Sequence, residues 1–336
     1  MEKISFYGLS RSGKSCYIFA MAQSMSQGLR FPDGRILTVI SPIPMQMARL
    51  YKAYAQMAEG KWPAGNVESV NYNFNAKIAL EKLMSFSLKD YRGGLLDTCD
   101  EDEMEEQEEL FDSFKDSTVL LFFVGADVVG KAMKGDYDSS FKLSFFSSLY
   151  ENYADRTGDA KTPIMIVITK SDLLSQSELQ KAKEYVKSVL QSMFGKGTNI
   201  TVALTAVTLG RNLSNDNGEL EGELIIGQKS GNIHIPILYS LFCVISENIE
   251  HSIGVISSQE LSLGSSHTEL VKEQSRSALA RFFSSKENTI KSKIESSNRV
   301  ISEEKKKLLR MNDLLNLVKP LLLEGAEVYV NGDRKY

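Results

Sequence analysis

Two stretches of this chain are apolar almost without interruption: Val119 to Gly125 (VLLFFVG) and Pro163 to Thr169 (PIMIVIT). A run of that length without alternation marks a strand buried on both faces. Asn199 to Leu204 (NITVAL) and the segment from Lys3 that opens the chain read the same way. Helical patterns lie between them. Ser15 to Gly28 is helical in composition and ends on glycine, and Met45 to Glu59 is amphipathic and stopped by Gly60. Phe141 to Ala154, the charged amphipathic run Gln176 to Phe194 and the apolar run Ile235 to Ile249 complete the set. Arg35 to Ile40 is a short strand, after which Pro42 and Pro44 break regularity. Val70 to Ile78 and Leu83 to Lys89 alternate apolar with polar, which predicts an antiparallel pair with one half-buried face. Strands alternating with helices predict a mostly parallel sheet with right-handed crossovers and helices on both faces. The antiparallel pair before Asp90 is the one exception. The fold class is therefore α/β, a three-layer sandwich.

The C-terminal part has a different rhythm. From Ser265 to Lys319 there is no glycine and no proline, and Ile294, Ile301, Leu308, Leu315 and Leu322 recur every seven residues. Met311 and Val318 fill the intermediate seam, but Ser297 and Glu304 interrupt it. This predicts a long helix or helical hairpin with partial heptads, packing on its own chain or on a second one. Glu327 to Val330 predicts a short strand before an Asn331-Gly332 turn. The reading divides the chain into an α/β domain over 1–255 and a helical extension over 256–336. Residues 209–232, rich in Gly, Asn and Glu, read as a loop insertion.

Composition narrows the function classes. With 336 residues, 42% hydrophobic and 24% charged, the chain has the make-up of a soluble globular protein. A net charge of −4 argues against a general nucleic-acid binder. Cys16, Cys99 and Cys243 are too few and scattered for a disulfide framework or a zinc site, which points to a reducing, cytoplasmic setting. Met1-Glu2-Lys3 leads straight into a strand, so no secretory leader is expected, and no apolar run reaches membrane-spanning length. The acidic run Asp97 to Glu109 reads as a solvated face, and His234, His251 and His267 have no metal spacing.

The chemistry begins after the first strand. Gly8-Leu9-Ser10-Arg11-Ser12-Gly13-Lys14-Ser15 fits G-x-x-x-x-G-K-[ST] at every fixed position. Such a loop turns the backbone N–H groups of Ser10 to Cys16 toward phosphate oxygens, and the glycines permit the close approach. Lys14 then reaches the β/γ-phosphates, Ser15 offers a hydroxyl to Mg²⁺, and the following helix adds the positive end of its dipole. Downstream stands Asp90-Tyr91-Arg92-Gly93, at a strand end. An Asp there reaches Mg²⁺ through water, and the N–H of Gly93 offers itself to a γ-phosphate oxygen. Thr169-Lys170-Ser171-Asp172 follows the buried strand PIMIVI. The Asp172 carboxylate suits the N1–H and N2 amine of guanine, which adenine lacks, and the Lys170 stem can lie over the base. Thr205-Ala206-Val207 ends the next strand, where a backbone N–H can contact guanine O6.

The ordered set GLSRSGKS, DYRG, TKSD and TAV resembles the Ras-like GTPases of the translation-factor class over roughly residues 1–250. The resemblance implies a Ras-like phosphate-loop sandwich, mostly parallel with one antiparallel strand, that binds GTP or GDP with Mg²⁺ and couples slow hydrolysis to a loop switch. The Trp62-Pro63 element before the antiparallel strands, together with DYRGG, looks like the bacterial double-GTPase proteins, which implies a conflict or defence role. Two departures matter. Family members usually hold Mg²⁺ with a switch-one Thr, yet between Gly28 and Asp90 the only Thr is Thr38, in a strand candidate, so either Asn66 or Ser69 replaces it or the ligand is lost. The Gln that orients the attacking water in such enzymes is replaced by Gly94. Arg11 stands where the similar phosphate loop of guanylate-binding proteins carries a finger that acts in cis on dimer formation, so Arg11 joins Lys14 as a candidate catalytic residue. The alternatives for Arg11 are a solvent-facing position or a partner contact. The function expected is a GTP-hydrolysing molecular switch activated by a partner or a dimer. The competing expectation is a non-catalytic GTP-binding module that recruits a protein through its C-terminal helices.

Overall fold

The strands that read as buried on both faces stand at the centre of one ten-stranded sheet. The structure is a computed structural model that describes residues 2–63, 69–90, 114–157, 162–198, 200–216, 219–224, 230–274 and 286–335. Its first half comprises β1 (Glu2–Gly8), α1 (Lys14–Ser26), β2 (Leu29–Arg30), β3 (Ile36–Ile40), α2 (Pro44–Ala58), β4 (Val70–Ile78) and β5 (Glu81–Asp90). Then come β6 (Val119–Gly125), α3 (Ala126–Met133), α4 (Tyr137–Thr157), β7 (Ile164–Thr169), α5 (Gln176–Val189), α6 (Gln191–Phe194) and β8 (Thr201–Ala206). The last part holds β9 (Gly210–Asp216), β10 (Glu219–Leu224), α7 (Ile235–Gln274), α8 (Lys286–Gly325), β11 (Ala326–Val330) and β12 (Asp333–Arg334).

The sheet order is β12-β11-β8-β7-β6-β1-β5-β4-β3-β2. The inner strands β5, β1, β6, β7 and β8 pair in parallel, and β4 pairs antiparallel with β5. Those six strands form the expected sheet with one antiparallel member. The whole is larger: β3 and β2 extend one edge, β11 and β12 the other, all through antiparallel pairs. The expectation of a single antiparallel strand is thus corrected, because β2 and β11 also run against the centre. β2 is only two residues long, too short to leave a pattern. β11 pairs with β8 across about 120 residues of chain, a partnership no local pattern encodes.

Burial follows from the pattern. On one face, Phe122, Val124, Ile166, Ile168, Val202 and Leu204 pack against Leu143 and Phe146 of α4 and Val186 of α5. On the other, Tyr17 of α1 lies 5.7 Å from Phe6 and 5.2 Å from Phe123, ring to ring, and its hydroxyl donates to the Ile233 carbonyl at 2.9 Å. β11 is tied down by charge as well. The buried Glu327 carboxylate meets Lys183 at 3.4 Å and Lys187 at 3.2 Å and accepts from the Tyr329 hydroxyl at 2.8 Å. The Asn331-Gly332 turn between β11 and β12 has φ of 54° and 78°, the double positive φ that favours Asn-Gly in two-residue hairpins.

The chain divides into two compact units, Met1–Leu241 with Pro320–Tyr336, and Phe242–Lys319. In the second, segments of α7 and α8 are joined by a Lys305–Glu260 ion pair at 3.4 Å, and Ile290, Ile301, Met311 and Val318 are buried along the heptad seam. Ser297, a polar interruption of that seam, is also buried. Three other elements differ from the sequence reading. Gln176 to Phe194 is two helices that meet at Leu190, whose φ of −95° and ψ of 36° leave the helical region. The apolar helix expected over Ile235 to Ile249 runs on to Gln274. Residues 209–232 contain the β9–β10 hairpin as well as loop.

Candidate functional site

β1 delivers the phosphate loop at the middle of the sheet, and α1 begins at Lys14. The close pairing of β1 with β6 explains Gly8: a β-carbon there would collide with the Phe123 carbonyl oxygen and lie 2.7 Å from Ser12 Oγ. Gly13 caps α1 with φ of 85°, the left-handed region. It offers no capping side chain, and no acidic residue stands in the first turn, so the positive helix end faces whatever anion the loop admits. Lys14 is buried, and its Nζ donates to the carbonyls of Gly8 at 2.6 Å and Leu9 at 3.1 Å. The ammonium is thereby held under the loop. Ser10 and Arg11 are exposed at the loop crest, and Arg11 is left-handed with φ of 59°. Burial pushes the Cys16 thiol up to about 12, against the opposing pull of the Lys170 charge.

Two oxygen-bearing side chains meet beside the loop. Asp90, at the end of β5, is fully buried, and its Oδ2 accepts from the Ser15 hydroxyl at 2.7 Å. Burial, reinforced by the Asp90 charge, pushes the nearby Tyr72 phenol up to about 12. A hydroxyl and a carboxylate are the hard donors Mg²⁺ takes, and such an ion completes its shell with water and phosphate oxygens. Among the described residues no group of three or more His, Cys, Asp and Glu could hold a metal. Arg92, Gly93, Gly94 and Asn66 lie outside the described residues. Ser69 is exposed just before β4, and Thr38 sits within β3, paired with Lys77.

Residues 169–172 are stitched to the loop that precedes α1. Thr169 ends β7, is buried, and its Oγ1 donates to the Ser12 carbonyl at 2.6 Å, with the Val124 carbonyl 3.2 Å away. One side chain therefore bridges the loop, β6 and β7. Lys170 adopts φ of 54° and turns its ammonium onto Asp127 Oδ2 at 2.8 Å. Asp127 opens α3 and was not singled out by sequence. Its one signal, an acidic residue two positions past a buried strand, is common to solvated helix starts. Asp172 lies in the 3-10 turn Ser171–Leu173. Its Oδ1 accepts from Thr208 Oγ1 at 2.8 Å and its Oδ2 from the Leu213 N–H at 2.9 Å.

The third segment lies alongside. The Val207 N–H donates to the Ile168 carbonyl at 2.7 Å, and the Ser171 N–H to the Val207 carbonyl at 3.2 Å. The buried Thr205 spends its hydroxyl on the Gly325 carbonyl at 2.7 Å, and the Ala206 carbonyl accepts from Asn232 Nδ2 at 3.1 Å. A polar cleft of about 460 Å³ is lined by Ser171, Ala206 and Thr208 together with Lys183, Glu327 and Arg334. His234 is buried, and His251 and His267 are exposed in α7. None of the three joins the site residues in these contacts.

The sequence strand–phosphate loop–helix on a central parallel strand defines a phosphate-loop α/β architecture. No family model matches the chain, and no curated protein matches it. Among solved structures it is similar to a signal recognition particle receptor chain, from an SRb-GTP/SRX complex of Chaetomium thermophilum. That match has a TM-score of 0.36 and 15% identity, over 62% of this chain and 90% of the other. Among the described residues no helix is long and apolar enough to cross a membrane.

Proposed function

We propose that this chain is a GTP-binding molecular switch that hydrolyses GTP to GDP and phosphate. The observation that carries the reading is the Thr169 Oγ1 bond to the Ser12 carbonyl at 2.6 Å. It holds a segment suited to reading guanine against a loop suited to cradling phosphate, so one nucleotide can span both. In this reading the backbone from Ser10 to Cys16 binds the phosphates, Lys14 neutralises the β/γ oxygens, and Asp172 accepts the two guanine N–H donors. Thr205 and Ala206 contribute backbone beside the base. Ser15 through its hydroxyl and Asp90 through water would hold Mg²⁺, which would offset charge on the β- and γ-phosphates. Arg11, exposed at the loop crest, supplies positive charge at the transferring phosphoryl, an effect of about 10³–10⁵ in rate where such a finger operates. The hydrolytic cycle changes the contact at Gly93, and the partner is a protein or a second copy. The bacterial conflict or defence setting rests on the sequence resemblance alone.

The test is a titration with GTP, GDP and ATP, followed by single-turnover hydrolysis at two protein concentrations. Guanine preference lost in Asp172→Asn supports the assignment; ATP binding as tight as GTP in the unaltered protein sinks it. A second reading, a non-catalytic GTP module, is favoured by Gly94 standing where a water-orienting Gln is usual. Hydrolysis that rises with protein concentration and disappears in Arg11→Ala excludes it.

A further inference from the structure

The hairpin β9–β10 follows the Thr205-Ala206-Val207 segment directly, and two donors at its base converge on Asp172. A carboxylate has about four lone-pair positions, two on each oxygen. Here one on Oδ1 is taken by the Thr208 hydroxyl and one on Oδ2 by the Leu213 N–H. That leaves one position on each oxygen, which is the number guanine needs for its N1–H and its N2 amine.

The anchoring answers a local weakness. Asp172 stands in a three-residue turn and is half-buried, so neither a regular element nor tight packing fixes its rotamer. The Thr208 proton lies between two acceptors, Asp172 Oδ1 at 2.8 Å and the Gly210 carbonyl at 2.7 Å. The charged oxygen is the stronger of the two. Thr208 Oγ1 also accepts the Gly210 N–H at 3.1 Å, which ties the hydroxyl to the first residue of β9. Gly210 cannot carry a side chain without moving the hairpin: a β-carbon there would run into the Glu223 carbonyl oxygen and lie 2.8 Å from the Leu213 methyl carbons. The position of the Leu213 N–H is thus coupled to hairpin closure.

We propose that the β9–β10 hairpin is the positioning element for base selection, with Thr208 and the Leu213 N–H orienting the Asp172 carboxylate toward a guanine base. This rests on the reading of Asp172 as the guanine-binding group. Neither Thr208 nor Leu213 touches the nucleotide; they act through Asp172.

The experiment measures dissociation constants of GTP, inosine triphosphate and ATP for the full chain and for Thr208→Val, Thr208→Ser and Gly210→Ala. Immobilising one side chain is worth about three- to tenfold in affinity. The expected result is that Thr208→Val and Gly210→Ala each lower GTP affinity by about that factor, leave ATP affinity in place, and so shrink the GTP/ATP ratio. Thr208→Ser restores it. Inosine triphosphate lacks the N2 amine and so makes one fewer bond to Asp172, which makes its own loss smaller than that of GTP. GTP and ATP falling together would mean a merely structural role and overturn the proposal. Tighter GTP binding in the variants would mean that the hairpin competes with the base, and overturns it too. Unchanged ratios in a protein that prefers GTP refute the positioning role alone. No guanine preference in the unaltered chain refutes the Asp172 reading and this inference with it.

Discussion

Replacing Thr169 with valine tests whether base reading and phosphate binding share one rigid frame. Valine keeps the volume and leaves a methyl where Oγ1 stood. What it removes is the 2.6 Å bond to the Ser12 carbonyl and the longer approach to the Val124 carbonyl at 3.2 Å. A net hydrogen bond is worth about 0.5–1.5 kcal/mol, and a buried carbonyl deprived of its partner costs about 1–3 kcal/mol. The hydroxyl has one proton, so its two approaches do not add. The expected destabilisation is therefore about 1–3 kcal/mol, read by urea denaturation without nucleotide.

The same change has a separate signature in binding. If Thr169 holds the loop in its binding shape, part of that energy reappears as weaker nucleotide binding. The ceiling is roughly a hundredfold, since about 1.4 kcal/mol is a factor of ten. The loss falls on GTP, GDP and ATP alike, because Ser12 belongs to the phosphate loop and not to the base pocket. Thr169→Ser keeps the hydroxyl and is expected to bind nearly as the unaltered protein does. A valine variant within about 0.5 kcal/mol in both stability and binding would refute the bridge. A loss confined to GTP would place Thr169 at the base instead.

Two further predictions concern stability. The β4–β5 turn places Ala79 and Leu80 at φ of 48° and 72°, where side chains cost about 1–2 kcal/mol each; the Ala79→Asn, Leu80→Gly pair should stabilise by about 1–3 kcal/mol in urea denaturation, and a loss of stability would contradict the turn geometry. At Glu327, burial works to raise the carboxyl pKa, but the Tyr329 hydroxyl and the Lys183 and Lys187 charges outweigh it and hold it below the ordinary 4.5. A folded-state value lower than the unfolded one contributes stability that is present above pH 4.5 and lost as the pH falls through the lowered value. Glu327→Gln should therefore destabilise at neutral pH and differ progressively less from the unaltered protein in acid; a pH-independent difference would show that the charge is not what anchors β11.

Where a segment's own physics decided its structure, the sequence was enough to read it. VLLFFVG is wholly buried as β6 because helices cover both faces of the sheet there, and a strand in that position has no polar face to show. Asn331-Gly332 turns as its backbone preferences dictate. The spacing of Gly8, Gly13 and Lys14 needed nothing beyond the loop itself. α3 escaped notice because eight residues beginning directly after the last strand residue are too few to reveal a period. β2 escaped because two residues leave no pattern, and β11 was legible as a strand while its pairing with β8 was not, because edge pairing is a property of the partner.

The candidate site divides along the same line. Its ordered motifs stood out in the sequence because each motif concentrates its chemistry in a few adjacent residues. Its connections did not, because each joins residues far apart in the chain: Ser12 to Thr169, Ser15 to Asp90, Lys170 to Asp127, Asp172 to Thr208 and Leu213. The β9–β10 insertion is the sharpest instance. Rich in Gly, Asn and Glu, it has the composition of a loop, and an isolated two-stranded hairpin is marginal in water. What fixes its base is a carboxylate donated by another segment, so its structure depends on Asp172 as much as the orientation of Asp172 depends on it. A residue that reads as loop filler by composition can then set how a residue that reads as functional points, and only the folded arrangement exposes that dependence.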